Sequence, residues 1–184
     1  MFIIKDYYFF YIDNTSTINL NLIKITNKII IIYRNNATKE TISSLIRFKK
    51  KCKQKKIKFF IANDYDVAKK CKADGLYISA YNKKIYRNIN VIGSAHNFKE
   101  IQSKIKQNCK TIIFSRLFKT NYKNKKSSYG IVKFNLMSLN YKIKLIPLGG
   151  INKANLLKLN LVKSEGFAIL SEVKKKPAIS SRLF

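Results

Sequence analysis

The residues with the clearest chemistry in this 184-residue chain are short polar or glycine clusters, each standing directly after an apolar run. Arg34 follows Ile29-Ile30-Ile31-Ile32 and Tyr33. A guanidinium there is suited to grip a phosphate through two parallel hydrogen bonds. Asn63 and Asp64 follow the run Lys58 to Ala62. The Asp64 carboxylate suits Mg2+, which takes oxygen ligands and bridges to substrate phosphates. It equally suits capping of a helix that starts at this point, and the two roles are compatible. Gly149-Gly150-Ile151-Asn152 is the most specific cluster. Glycines let backbone approach a ligand closely, and a following helix offers N–H groups to an anion. Ser171, after the next apolar run, favours phosphate at this place. His96 is the only histidine. It is either an acid–base group near neutral pH or a locally bonded loop residue, and no carboxylate partner is evident from its neighbours. Ser79, Asn82, Ser94, Ser115, Thr120 and Lys123 fill the remaining positions of this kind. The set is anion-friendly and holds one carboxylate. It contains no nucleophile triad and no paired carboxylates for hydrolysis.

Such residues need elements to bring them together. Eight short apolar runs read as strands: Tyr7 to Ile12, Lys28 to Tyr33, Lys58 to Ala62, Gly75 to Ser79, Asn90 to Ile92, Thr111 to Phe114, Lys144 to Leu148 and Gly166 to Leu170. Runs this short and continuous suit parallel strands covered on both faces. Lysine-rich amphipathic segments lie between them and read as helices: Thr38 to Lys56, Tyr65 to Lys72, Asn97 to Gln107, Gly130 to Tyr141 and Asn152 to Asn160, the last capped by Asn152. Tyr81 to Asn88 is too short and polar for a full helix. Strands alternating with helices predict an α/β fold with a parallel sheet. Eight strands favour a compact (β/α)8 TIM barrel over an open sheet, with a shortened fourth helix and a truncated C-terminal helix. No GxGxxG or GxxxxGK[ST] pattern occurs, which counts against dinucleotide and P-loop folds. In a barrel the residues just after each strand surround one mouth, and phosphate often sits by the loops after strands seven and eight. Residues 1–184 are read as one such domain.

Composition narrows the partners. The formal net charge is +29. Lys, Asn, Ile, Phe and Tyr are over-used together, the pattern of an AT-rich coding sequence, so bulk charge does not assign a nucleic-acid partner. No nucleic-acid-binding module is recognisable either. Hydrophobic residues make up 46% of the chain, enough for a packed core. Cys52, Cys71 and Cys109 are three in number and widely spaced, which argues against disulfides or zinc and for a reducing, cytoplasmic setting. Lys5 and Asp6 interrupt the N-terminal apolar run, so no signal peptide is expected. No stretch reaches the length of a membrane span.

The ordered motifs resemble the thiamine phosphate synthase/TenI family over nearly the whole chain. Ile61-Ala62-Asn63-Asp64 resembles the family's I-N-D segment, and Ala73-Asp74-Gly75-Leu76-Tyr77-Ile78 its A-D-G-V-H-L strand. Ile92-Gly93-Ser94-Ala95-His96 is similar to I-G-x-S-x-H with the histidine one place early. Phe118-Lys119-Thr120-Asn121-Tyr122-Lys123 resembles F-x-T-x-[ST]-K, Leu148-Gly149-Gly150-Ile151 the G-G-I turn, and Gly166 to Ser171 the last strand. The resemblance implies a transferase that joins an aminopyrimidine methyl diphosphate to a thiazole phosphate and releases pyrophosphate. It implies Arg34 and Lys123 on the diphosphate, Asn63 on the pyrimidine or the diphosphate, and Asp64 on Mg2+. Thr120, Gly149, Gly150 and Ser171 would hold the thiazole phosphate. The implied partners are phosphorylated small molecules and copies of the chain in a small oligomer. TenI-type members instead isomerise a thiazole carboxylate phosphate with help from a histidine, here His96. Two departures stand out. The family's Q-x-R-x-K reads Ile32-Tyr33-Arg34-Asn35-Asn36, and the second Mg2+ carboxylate falls on neutral Asn82. A divergent member is expected, with the tautomerase or a non-catalytic thiazole phosphate binder as alternatives.

Overall fold

The computed structural model describes residues 5–35, 40–120 and 128–170. Eight parallel strands close into a barrel in chain order: β1 (Tyr7–Ile12), β2 (Ile29–Tyr33), β3 (Lys58–Ala62), β4 (Gly75–Ile78), β5 (Val91–Ala95), β6 (Thr111–Ser115), β7 (Lys144–Leu148) and β8 (Gly166–Ile169). β8 returns to β1, with Tyr7 opposite Gly166 and Phe10 opposite Ile169, so no sheet edge is left open. The expected barrel is borne out. Every expected strand is present, and β5 runs three residues further than the sequence indicates, through Gly93-Ser94-Ala95. Small residues carry no β-strand signature of their own, and pairing with β4 and β6 draws them into the sheet.

The isoleucine run shows why the strands read as continuously apolar. All of β2 is buried. Ile30 and Ile32 point into the lumen, where they meet Phe9, Tyr11, Phe60, Tyr77, Ile92, Ile113 and Ile146. Ile29 and Ile31 point outward into the second core layer with Phe10, Leu45, Phe48 and Phe59. A strand with two buried faces cannot alternate apolar with polar. The lumen is therefore a packed core of large side chains and not a pore.

Among the described residues four α-helices cover the outside: α1 (Ile42–Gln54), α2 (Tyr65–Lys70), α3 (Phe98–Lys106) and α4 (Gly130–Leu139). Thr41, Asp64 and Asn97 cap the first three, their side chains accepting from Ser44, Val67 and Glu100 backbone N–H groups. The expected helix at Asn152 to Asn160 is corrected: Lys153–Leu161 is a run of 3-10 turns. Leu156, Leu159 and Val162 form its packed line, with Leu159 and Val162 fully buried. Spacing of three residues sets them directly above one another on a three-residue turn, whereas on an α-helix each such step would drift by about 60°. The β1–β2 connection likewise holds only two 3-10 turns, Thr15–Thr17 and Leu20–Leu22.

No helix forms between β4 and β5. The buried side chains of Lys104 and Gln107 on and after α3 hold this connection instead. Lys104 Nζ donates to the Asn82 carbonyl at 2.7 Å and to Gln107 Oε1 at 2.9 Å, while Gln107 Nε2 donates to the Asn82 and Lys84 carbonyls. Tyr86 stacks on Tyr65 of α2. The residues of the expected truncated C-terminal helix lie outside those described.

Candidate functional site

The C-terminal ends of the strands surround a pocket of about 160 Å3. Its lining includes Arg34, His96, Ser115, Arg116, Thr120, Gly149 and Gly150, over an apolar floor of Leu148, Ala168 and Ile169. No carboxylate lines it among the described residues.

Arg34 is the first residue beyond β2, and its backbone N–H donates to the Ile12 carbonyl at 2.7 Å. β2 and β6 lie four strands apart in the eight-stranded ring, so Arg34 and Arg116 rise from opposite sides of the mouth. Arg116 is half-buried, with Nη1 3.5 Å from Thr120 Oγ1. Beneath them Tyr11 is buried, its ring edge-on to Tyr77 at 5.4 Å. Burial and the neighbouring Tyr77 push the Tyr11 phenol well above its ordinary range, against a smaller opposing pull from Arg34. Among the described residues its hydroxyl has no well-formed hydrogen bond, and Tyr77 is the polar side chain that acts on it.

The glycine turn is built by close approach. Gly149 and Gly150 have φ of +99° and +70°. A Cβ at Gly150 would stand 2.4 Å from the Lys119 carbonyl oxygen, and one at Gly149 would stand 2.9 Å from Arg116 Cγ. Neither position tolerates a side chain. The chain after β7 is thereby zipped to the chain after β6: Leu117 N–H donates to Leu148 O, and Phe118 N–H donates to Gly149 O. Asn152 then takes the Ala154 and Asn155 N–H groups in a capping box. The first N–H groups of the following turns are thus satisfied internally. That differs from the expectation of a helix N-terminus open to an anion.

His96 does have a carboxylate partner, contrary to the reading of the sequence. Glu100, four residues on, places Oε2 3.0 Å from His96 Nδ1 and 2.7 Å from its backbone nitrogen. The spacing is the i, i+4 pairing of a helix start, with Asn97 as cap, and that signal was available in the sequence. Burial pulls the Glu100 carboxyl upward, but bonds from the His96 ring and backbone N–H, the His96 charge and Asn97 together hold it below its ordinary range. Tyr129 OH donates to the His96 carbonyl at 3.2 Å.

Asn63 and Asp64 stand apart from the pocket lining. Asn63 adopts φ of +57°, donates its N–H to the Tyr77 carbonyl, and accepts from the Ser79 N–H at 2.9 Å. Asn tolerates this left-handed backbone better than most residues. Asp64 Oδ1 caps α2 through the Val67 N–H at 3.0 Å. Asn82 accepts from the Lys84 N–H and donates to Tyr86 OH. Among the described residues no three His, Cys, Asp or Glu side chains gather where they could hold a metal ion. Lys123, Ser171 and Asn36 lie outside the described residues. The side chain that sequence reasoning missed is Arg116. It sits one residue beyond the last strand residue of β6, the position that points into a barrel mouth.

Fold and site define a (β/α)8-barrel protein whose strand ends frame a cationic mouth fit for small anions. More specifically, the chain belongs to the thiamine monophosphate synthase family, whose sequence profile matches residues 11–173. A thiamine-phosphate synthase from Prochlorococcus marinus is 30% identical over 129 residues, covering 66% of this chain and 37% of that one. One from Clostridioides difficile is 26% identical over 161 residues, covering 82% and 75%. The chain thus spans little more than a third of the length of the Prochlorococcus relative. Among solved structures, a thiamine phosphate pyrophosphorylase from Pyrococcus furiosus matches with a TM-score of 0.74 at 19% identity, covering 96% of this chain and 93% of that one. That likeness establishes the barrel.

Proposed function

We propose that residues 1–184 act as one barrel unit that joins a pyrimidine methyl diphosphate to a thiazole phosphate, forming thiamine phosphate and releasing pyrophosphate. The observation that carries this reading is the mouth pocket, with guanidinium groups on opposite sides and no carboxylate in its described lining. The thiazole nitrogen attacks the pyrimidine methylene as the bond to the diphosphate oxygen breaks. Charge builds on the departing pyrophosphate, so stabilising cations accelerate the step more than a general base would. Arg34 and Lys123 serve the pyrophosphate, while Asn63, outside the pocket lining, ties the ends of β3 and β4 together. Thr120, the Gly149–Gly150 turn and Ser171 hold the thiazole phosphate, with Arg116 added to that group. His96 orders its edge of the mouth.

Mg2+ is the cofactor that family membership implies. Asp64 offers a carboxylate whose Oδ1 already caps α2, and the Asn63 and Asn82 amide oxygens are both engaged by backbone N–H groups. Asn82 also lacks the charge of a second carboxylate. Losing it weakens a site for a hard dication. This donor set does not fit a resident Mg2+, and no step is routed through one.

The test is turnover of pyrimidine diphosphate and thiazole phosphate to thiamine phosphate, followed by chromatography. Arg34→Gln and Arg116→Gln should each lower kcat/KM by about tenfold or more, the worth of a charge-assisted phosphate contact. Absence of product from the folded wild-type chain would defeat the reading. The His96–Glu100 pair favours one second reading, isomerisation of a thiazole carboxylate phosphate by proton transfer. His96→Asn would abolish that reaction while leaving thiamine phosphate synthesis within a few-fold.

A further inference from the structure

The α4 helix is apolar on two opposite faces, and the barrel uses one of them. Phe134 and Met137 are buried in the outer core layer, while Val132, Leu136 and Leu139 are 71%, 61% and 66% exposed. Positions i, i+4 and i+7 form one stripe, and this one lies on the side of the helix opposite Phe134 and Met137. Leu161, 68% exposed, stands beside the helix. Asn135 Nδ2 donates to the Leu161 carbonyl at 2.9 Å, and Asn135 Oδ1 accepts from the Lys163 N–H at 2.7 Å. Single exposed leucines need no explanation, but a contiguous group marks an interaction surface. A helix apolar all round belongs where both its faces are covered.

The distribution of charge selects the occupant. A net charge of +29 opposes self-association wherever lysines would meet. α1 carries Arg47, Lys49, Lys50, Lys51 and Lys53, and α3 carries Lys99, Lys104 and Lys106 with Glu100. α4 carries Lys133 alone, about 60° round the helix from Leu136 and so at the edge of the stripe. Lys158 and Lys163, near Leu161 in the chain, are exposed as well. The centre of the stripe offers an acidic partner no cation, and it can meet its own copy without setting lysine on lysine. A two-fold axis near Leu136 sets α4 against α4 antiparallel, with Leu136 on Leu136 and Val132 of one copy on Leu139 of the other. The four side chains expose on the order of 500 Å2 in each copy, so a pair covers about 1,000 Å2, the lower bound of a specific interface.

We propose that the exposed face of α4, with Leu161, is the interface of a reversible two-fold dimer of this chain. The dimer does not depend on the reaction assigned to the mouth. Sedimentation of the wild-type chain should show monomer converting to dimer between about 1 µM and 1 mM, as expected of an interface this small. Leu136→Lys/Leu139→Lys should weaken association about tenfold or more, since it removes apolar burial and sets lysines against one another across the axis. Leu22→Lys/Ile25→Lys adds the same charge at exposed apolar positions of the β1–β2 connection and should leave association within about twofold. Melting temperatures taken at monomer concentration show that both variants fold. Leu136→Cys should cross-link to its own copy under mild oxidation and Leu22→Cys should not, because a disulfide needs the two positions close to the axis and the native cysteines are buried. Added NaCl screens the lysines at the edges and should tighten the dimer by about twofold or more, whereas it would loosen attraction to an anionic surface. A chain that stays monomeric to about 1 mM overturns the proposal, including one that binds phosphatidylserine vesicles through the same leucines. So does a dimer that survives Leu136→Lys/Leu139→Lys, or one in which Leu136→Cys fails to cross-link.

Discussion

At the scale of single residues, the mouth stores two interactions that can be read directly. Among the described residues the buried Tyr11 hydroxyl has no well-formed hydrogen bond, with Tyr77 as its polar neighbour. An unsatisfied buried polar group costs about 1–3 kcal/mol, so Tyr11→Phe should raise stability by about 1 kcal/mol in urea unfolding. A loss of stability would show that the hydroxyl has a partner in solution. Glu100 is the second case. Its carboxyl pKa is below the ordinary 4.5 because His96 and Asn97 bond the ionised form. A lowered folded value means the unfolded chain binds the proton first. The stabilisation is therefore complete above pH 4.5 and drains away as pH falls through the folded value. Glu100→Gln should flatten the melting temperature of that segment of the pH profile, and a profile parallel to wild type would contradict the pairing.

At the scale of elements, the connection between β4 and β5 shows how a barrel survives the loss of a helix. The segment has no helical hydrogen bonds of its own to satisfy its carbonyls. Lys104 and Gln107 reach from the α3 side and supply donors to Asn82 and Lys84. The Lys104 amine sits fully buried, and loss of hydration lowers its pKa below 10.5. The compensation is geometric: one lysine and one glutamine replace donors that a helix would have provided internally. Lys104→Met keeps most of the stem but removes the ammonium. It should cost about 1–3 kcal/mol and speed amide exchange selectively in the 79–90 segment. Uniform acceleration across the barrel would mean that Lys104 supports the core instead of this connection.

At the scale of the whole molecule, closure of the sheet decides which groups are accessible. All three cysteines are buried. Burial raises the thiol of Cys52 to about 12 and that of Cys109 to about 11, and raises Cys71 as well. A thiol held neutral and shielded is inert. Iodoacetamide at pH 8 should leave the native chain unmodified and label three sites in denaturant, counted by mass spectrometry. Labelling of native protein would place a cysteine at an opening in the barrel wall. The positive charge is likewise distributed by the fold: Lys58, Lys110 and Lys144 stand at the N-terminal end, and Arg34 and Arg116 face the mouth. No helix among the described residues is long and apolar enough to cross a membrane.

The barrel was legible in the sequence because each strand is buried on both faces. Ile29 to Ile32 must be apolar throughout, and eight such runs separated by amphipathic segments have few other ways to close. Arg34, Thr120, Gly149 and Gly150 were legible for a related reason: the strand ends define the mouth by position alone. Local sequence also marked the caps at Asp64 and Asn152, since capping acts within three residues. Tertiary structure decided what depends on partners remote in the chain. Asn63 is tied to Tyr77 and Ser79 because β3 and β4 end side by side. Lys153–Leu161 became 3-10 turns because packing on the barrel rewards three-residue spacing. Arg116 entered the mouth because the turn at Gly149 leaves room for its stem, a contact between two loops 33 residues apart in sequence. Sequence sets the burial pattern and the local caps. Only closure of the ring determines which polar side chains meet across it.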